Sequence, residues 1–176
     1  MKRIDLEHLI RAAGSIADLR ELVIIGSQAI LGSVADPPPE LTISQEADLW
    51  TPTAPEKADL IDGSIGEMSP FHGTFGYYGH GVGTGTAVLP ANWKSRLVRV
   101  QNDNTNQIAG LCLSPADIVI SKLAAGREKD LSYVTALFRH RLLRRDEVEA
   151  LFLEVPPVIL AQIKPRFLRC ISEAAG

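Results

Sequence analysis

Two acidic residues at alternate positions are the first group in this sequence whose type and spacing could support chemistry. Glu46 and Asp48 lie within Thr42–Thr51, which we interpret as a strand, and alternate residues of a strand project from the same face. Their carboxylates would then be close enough to share one divalent cation through oxygen ligands. Mg²⁺ held in this way can bridge phosphates, neutralise the charge on a leaving pyrophosphate and orient an attacking hydroxyl. The pair therefore predicts a magnesium site, and the open alternative is two solvent-facing acids of an edge strand.

A glycine and a serine follow the most strand-like run of the chain. Glu21–Gly26 is apolar and rich in β-branched residues, as expected for a strand covered on both faces. Ser27–Leu31 is predicted to be a helix with Ser27 as its N-cap, so that unpaired backbone N–H groups converge beside a hydroxyl and favour an anion. A structural explanation is also open, because such turns often need glycine for packing and serine as a cap. The acidic pair on the next predicted strand strengthens the phosphate-binding interpretation, and both explanations stay open.

A third group lies at a predicted junction between two helices. Ser114–Asp117 supplies a cap hydroxyl, a proline at the first helical position and a carboxylate in the first turn, which together predict a helix start. Lys122 lies on this helix, which we expect to end at Gly126, and Arg127–Asp130 opens the next one. The alternative interpretation is a solvated junction with local ion pairs worth a few tenths of a kcal/mol.

These segments together resemble the nucleotidyltransferase superfamily of the minimal, AbiEii-like kind. Gly26-Ser27, Glu46-Ala47-Asp48 and Leu113–Asp130 carry the resemblance, at the two ends of a segment from about Leu22 to Leu142. The resemblance implies a nucleoside triphosphate, Mg²⁺ as cofactor and a pocket built from all three segments. It assigns metal binding and catalysis to Glu46 and Asp48, nucleotide binding to Gly26, Ser27, Lys122 and Arg127, and further catalytic roles to Lys122 and Asp130.

The sequence departs from that superfamily in its acidic residues. Glu46 stands where aspartate is usual, and the predicted strand Arg96–Val100 lacks the third acid that many of these enzymes place on a later strand. Asp103 is the nearest substitute, but it lies in a predicted turn. The leading hypothesis is transfer of a nucleotidyl group to a hydroxyl of a protein or an RNA. The alternative is a noncatalytic binding or regulatory component of a toxin–antitoxin type system, with a toxin or antitoxin as its partner.

The predicted elements indicate an α/β (α+β) fold with a mixed sheet, flanking helices and a C-terminal helical cap. We expect a single nucleotidyltransferase-like domain over residues 1–176, with a mixed α/β portion at 1–113 and a helical portion at 114–176. Asp5–Ala13 is predicted to be a helix that ends at Gly14, and Gly110–Leu113 a strand. Further helices are expected at Asp146–Leu153 and Val158–Ser172.

The segment Gly63–Gly85 carries eight of the 14 glycines together with several aromatic residues. We expect twisted hairpins there, because tightly turned strands use glycine for positive φ and aromatic side chains for cross-strand cover. His72 and His80 lie in this segment. Two histidines without a third partner make a poor zinc site, so we do not predict a metal there.

Composition limits the classes of partner and the compartment. Lys and Arg total 18 against 21 Asp and Glu, a net charge of −3, so no overall basic field attracts nucleic acid and a phosphate ligand must be held locally. Two cysteines without C-x-x-C spacing favour a reducing compartment. The apolar runs are shorter than the roughly 20 residues that span a bilayer. We therefore expect a cytoplasmic protein that makes no membrane contact.

Overall fold

Five strands form one mixed sheet in a computed structural model of the chain, which describes residues 1–83 and 85–176. They are β1 (Glu21–Ile25), β2 (Glu46–Trp50), β3 (Tyr78–Val82), β4 (Val98–Val100) and β5 (Ala109–Cys112). Their order across the sheet is β3-β2-β1-β5-β4. Strand β1 is antiparallel to β2 and parallel to β5, while β3 is parallel to β2 and β4 is antiparallel to β5. The strand that carries the acidic pair is therefore next to the central strand.

Helices cover the sheet and continue into a helical C-terminal part. They are α1 (Arg3–Ala17), α2 (Ile30–Ser33), α3 (Ala58–Ile65), α4 (Pro70–Phe75), α5 (Pro115–Ala125), α6 (Glu128–Arg139), α7 (Arg145–Leu151) and α8 (Pro157–Ala175). This arrangement confirms the mixed α/β fold class. Within the described residues, we find no helix with the length and apolarity that crossing a membrane requires.

The two faces of the sheet differ in what they carry: α1 and α3 cover one face, and the acidic pair lies on the other. Ile24 pairs with Leu49 in the β1–β2 register, and both side chains are fully buried on the face that α1 and α3 cover. Alternation along the strands sends Glu46 and Asp48 to the opposite face. There α5 and α6 face the carboxyl end of β1 across a cleft. The core packs on both faces of the sheet, since Val23 and Ile25 of β1 and Ile118 of α5 are also buried, and the acidic pair lies at the open cleft on this second face.

Local signals correctly predicted the start of the C-terminal helices. Ser114 accepts a hydrogen bond from the Asp117 backbone N–H at 3.2 Å and caps α5, which begins at Pro115. The helix ends at Gly126, whose φ is +67°. The first helix is longer than expected, since α1 runs through Gly14 to Ala17. Gly14 is required there for packing, because a Cβ atom would lie 2.6 Å from the Ile108 side chain.

The hairpins predicted for Gly63–Gly85 are wrong. This segment contains the end of α3, all of α4 and the strand β3, while Thr84 lies outside the described residues. Pro70 starts α4, and Ser69 caps it by accepting from the His72 backbone N–H at 3.1 Å. The aromatic residues of α4 pack around a histidine of α1 rather than across a hairpin. Two of these glycines, Gly79 and Gly81, are required for the packing of β3 against its neighbours, which local sequence does not reveal.

Candidate active site

The acidic pair lies directly beside the Gly-Ser turn. Strand β2 pairs antiparallel with β1, and the register places Asp48 opposite Ile25, the residue before Gly26. Gly26 has φ +72° and ψ −164°, a conformation that essentially only glycine adopts. A Cβ atom at Gly26 would lie 2.2 Å from Oδ2 of Asp48. Glycine is therefore required at this position both for the backbone conformation and for the approach of the carboxylate.

The turn itself differs from the predicted helix cap. Gly26, not Ser27, is the N-cap, and the chain continues as a 3-10 turn at Ser27–Ala29 before the four-residue helix α2. Such short pieces have little macrodipole, so the predicted helix N-terminus cannot supply the positive field for an anion. The Ser27 carbonyl accepts a hydrogen bond from the Tyr133 hydroxyl at 2.7 Å. The turn is thereby fixed to α6.

A histidine that the sequence analysis set aside completes the acidic group. His80 on β3 pairs with Asp48 in the parallel β2–β3 register, so the two side chains share a face. Its Nδ1 atom lies 2.9 Å from Oε1 of Glu46 and 3.5 Å from Oδ1 of Asp48. One ligand atom from each residue lies within 4.8 Å of the others. His72 is not part of this group. Only the parallel pairing of β2 with β3 would have indicated that His80 lies beside the two acids.

The environment of Asp48 disfavours its charged form. Burial raises the pKa of its carboxyl, and the neighbouring Glu46 carboxylate raises it further. His80 and Lys122 act in the opposite direction without cancelling these effects. A group whose charge is disfavoured in this way gains from a bound cation, which would compensate both the burial and the repulsion.

The cationic side of the cleft is held by a buried aspartate. Asp130, in the first turn of α6, is 1% exposed and accepts from Lys122 Nζ at 2.9 Å and from Arg127 Nε at 2.5 Å. Burial acts to raise its pKa, but the hydrogen bonds from Arg127 and Lys122 prevail and hold it below the ordinary range. Asp130 is thus an ionised anchor for two cations. The Lys122 ammonium also lies 4.9 Å from the centre of the Tyr133 ring.

All predicted site residues line one cleft of about 1000 Å³. They are Gly26, Ser27, Glu46, Asp48, Lys122, Arg127 and Asp130. The cleft has the size of a small-molecule site, and it places carboxylates at one side and cations at the other. Gln28, which the sequence analysis did not single out, also lines it. Gln28 is 1% exposed, and its Oε1 atom has no hydrogen-bond partner among the described residues.

Within the described residues, no third carboxylate joins Glu46 and Asp48. Strand β4, where many superfamily members would carry it, lies at the far edge of the sheet from β2. Asp103 lies in a 3-10 turn after β4, is exposed and accepts from Gln107 Nε2 at 2.8 Å. Neither position reaches Glu46 and Asp48. The side chain beside those two acids is His80.

Comparison with protein families identifies the family of the chain. A family model described as a nucleotidyltransferase of unknown function (DUF6036) matches residues 2–160. The matched region contains every strand of the sheet and the helices α5 and α6 that line the cleft. Searches of curated proteins and of solved structures find no match.

Proposed function

Because the chain belongs to this family of nucleotidyltransferases of unknown function, we propose that its cleft binds a nucleoside triphosphate with Mg²⁺. We further propose that the bound nucleotide donates a nucleotidyl group to a hydroxyl of a protein or an RNA. One observation carries the proposal: two carboxylates beside the Gly-Ser turn and two cationic side chains line the same cleft. The relation to AbiEii-like members remains a prediction from the sequence motifs.

The donor set fits a hard divalent cation. Glu46 and Asp48 offer carboxylate oxygens, the ligands that Mg²⁺ prefers, and Gly26 leaves room for the Asp48 carboxylate at the turn. Mg²⁺ bound there would supply neutralisation of phosphate charge and alignment of the reacting oxygens. The exposed fraction of the Glu46 side chain is 37%, so the ligands are open to solvent and to a substrate.

The opposite side of the cleft suits the phosphates. Lys122 and Arg127 are fixed by their bonds to Asp130, so their charges are placed before a ligand binds. The Lys122 side chain is 15% exposed, and its partly desolvated charge interacts more strongly with an anion than a fully solvated one. In the transfer step the acceptor oxygen attacks the α-phosphorus, the bond to pyrophosphate breaks and the hydroxyl proton leaves to solvent. The protein contributes positioning and charge.

The experiment that tests the proposal uses the variant Asp48→Asn. We expect it to abolish Mg²⁺-dependent binding of nucleoside triphosphates, measured by calorimetry, with the melting temperature almost unchanged. Asp103→Asn is the matched control, because it removes an exposed carboxylate outside the cleft. Equal binding by Asp48→Asn and the wild type would contradict the proposal.

A second measurement separates an enzyme from a noncatalytic component. The wild type is incubated with α-³²P-labelled nucleoside triphosphates, Mg²⁺ and either total RNA or total protein as acceptor. Label that becomes covalently attached, and that is lost with Asp48→Asn, supports transfer. Binding without attached label would instead favour the noncatalytic component of a toxin–antitoxin type system.

A further inference from the structure

We propose that Glu46, Asp48 and His80 form one three-ligand site that prefers a first-row transition-metal ion to Mg²⁺. The proposal rests on the proposed function, which places a cation in this cleft, and deepens it by adding a nitrogen ligand. The closest distance within the group is 2.9 Å, between His80 Nδ1 and Glu46 Oε1. The candidate ligand atoms all lie within 4.8 Å of one another, which lets a single ion contact all three after small side-chain rotations.

The strand that presents His80 is held firmly in place. Gly79 and Gly81 flank the histidine and face the other side of the sheet. A Cβ atom would lie 2.6 Å from the Leu49 side chain at Gly79 and 2.0 Å from the Ala58 carbonyl oxygen at Gly81. The two glycines thus let α3 pack directly on β3. A ligand on a supported strand is positioned more accurately than one on a loop.

The donor set itself decides between classes of metal. Mg²⁺ is bound through oxygen and keeps several waters, whereas an imidazole nitrogen suits transition metals. A neutral imidazole in the position of a third carboxylate also leaves the site with two negative charges instead of three. The nitrogen ligand and the smaller negative charge both lower the affinity for Mg²⁺ relative to that for a transition-metal ion. Mn²⁺ is the natural probe, because it accepts carboxylate and imidazole ligands and resembles Mg²⁺ in the phosphate chemistry it supports.

An ion pair is the ordinary explanation for the contact between His80 and Glu46. Their side chains are 47% and 37% exposed, and exposed pairs contribute little to stability. An ion pair with Glu46 alone does not account for the second contact of the histidine, 3.5 Å from His80 Nδ1 to Oδ1 of Asp48. The buried Gln28 oxygen without a partner in the described part of the chain also lines this cleft and indicates that a ligand completes it.

Mn²⁺ binding to the whole chain provides the test. Free Mn²⁺ is followed by electron paramagnetic resonance during titration, and Mg²⁺ is then added as competitor. For the wild type we expect Mn²⁺ to bind with at least about tenfold preference over Mg²⁺. Pulsed measurements on the bound ion should show coupling to a ¹⁴N nucleus. Neither readout depends on activity.

Three variants assign the effect to one side chain. His80→Gln should lose the nitrogen coupling and reduce Mn²⁺ affinity by about tenfold or more. His80→Asp should lower the ratio of Mn²⁺ to Mg²⁺ affinity by a similar factor, because it restores an all-oxygen set. His72→Gln is the control, since His72 lies on α4 outside the three-ligand group, and it should match the wild type.

Failure of this proposal is distinguishable from failure of the proposed function. Bound Mn²⁺ without nitrogen coupling, or an unchanged metal preference in His80→Gln, overturns the three-ligand site. If the His80→Gln variant still shows Mg²⁺-dependent nucleotide binding, and this binding requires Asp48, the proposed function still stands. Absence of any Mn²⁺ binding to the wild type also overturns the three-ligand site. Melting temperatures in the presence of a chelator show whether each variant is folded.

Discussion

Replacement of Gly26 by alanine should disturb the geometry of the site much more than the stability of the fold. The backbone at Gly26 has φ +72° and ψ −164°, where a residue with a side chain costs about 1–3 kcal/mol. The new Cβ atom would lie 2.2 Å from Oδ2 of Asp48, so the carboxylate has to move by roughly 1 Å to reach normal contact. A displacement of about 1 Å at a reacting group can cost about 100-fold in rate. We therefore expect a modest loss of stability and a severe loss of function.

Gly76→Ala is the matched control for this prediction. Gly76 ends α4 with φ +75° and ψ 10°, and a Cβ atom there meets no atom within 4 Å. Its cost is the left-handed strain alone, about 1–2 kcal/mol. Both variants should therefore lower the free energy of unfolding in denaturant titrations, whereas only Gly26→Ala should lose Mn²⁺ and nucleotide binding, measured by calorimetry. If Gly26→Ala binds both ligands as well as Gly76→Ala does, the assigned geometry of the turn and Asp48 is refuted.

Two further predictions concern stability away from the cleft. Burial, followed by the charge of Arg11, lowers the pKa of His8 below 6.5. Below about pH 6.5 this histidine therefore binds a proton more readily in the unfolded chain than in the folded chain, and the free energy of unfolding declines as the pH falls. In denaturant titrations at about pH 8 and about pH 5.5, the free energy of unfolding should decline less in His8→Phe than in the wild type. An equal decline in the two proteins would exclude His8 as the source of the pH dependence. Asp117 is fully buried and pairs with Arg96 at 2.8 Å, so Asp117→Ala should cost about 3 kcal/mol, and a loss below about 1 kcal/mol would show that the pair is dispensable.

Elements with strong local signals were predictable from the sequence. The β-branched run before Gly26 forms β1, and Ser114 with the following proline starts α5. Each of these signals acts within a few residues of the chain. The segment Gly63–Gly85 was not predictable in this way. Gly79 and Gly81 are required because α3 packs closely on this strand, and α3 is distant from them in the sequence.

The same distinction applies to the candidate site. Glu46 and Asp48 share a face because of strand alternation, which the sequence shows directly. His80 joins them through a parallel pairing of strands about 30 residues apart, and no local pattern encodes that pairing. The expected cap at Ser27 was wrong because the chain leaves the turn as a 3-10 segment. The metal, the acceptor and the roles of individual residues stay predictions that the experiments above address.

The hydrogen bond from Tyr133 to the Ser27 carbonyl has a mechanical consequence. It joins residues 106 positions apart in the sequence and ties the two walls of the cleft to each other. Moving the C-terminal helices away from the sheet would break this bond and expose buried side chains of α5, among them Ile118. We therefore expect ligand exchange to proceed through small adjustments at the rim of the cleft.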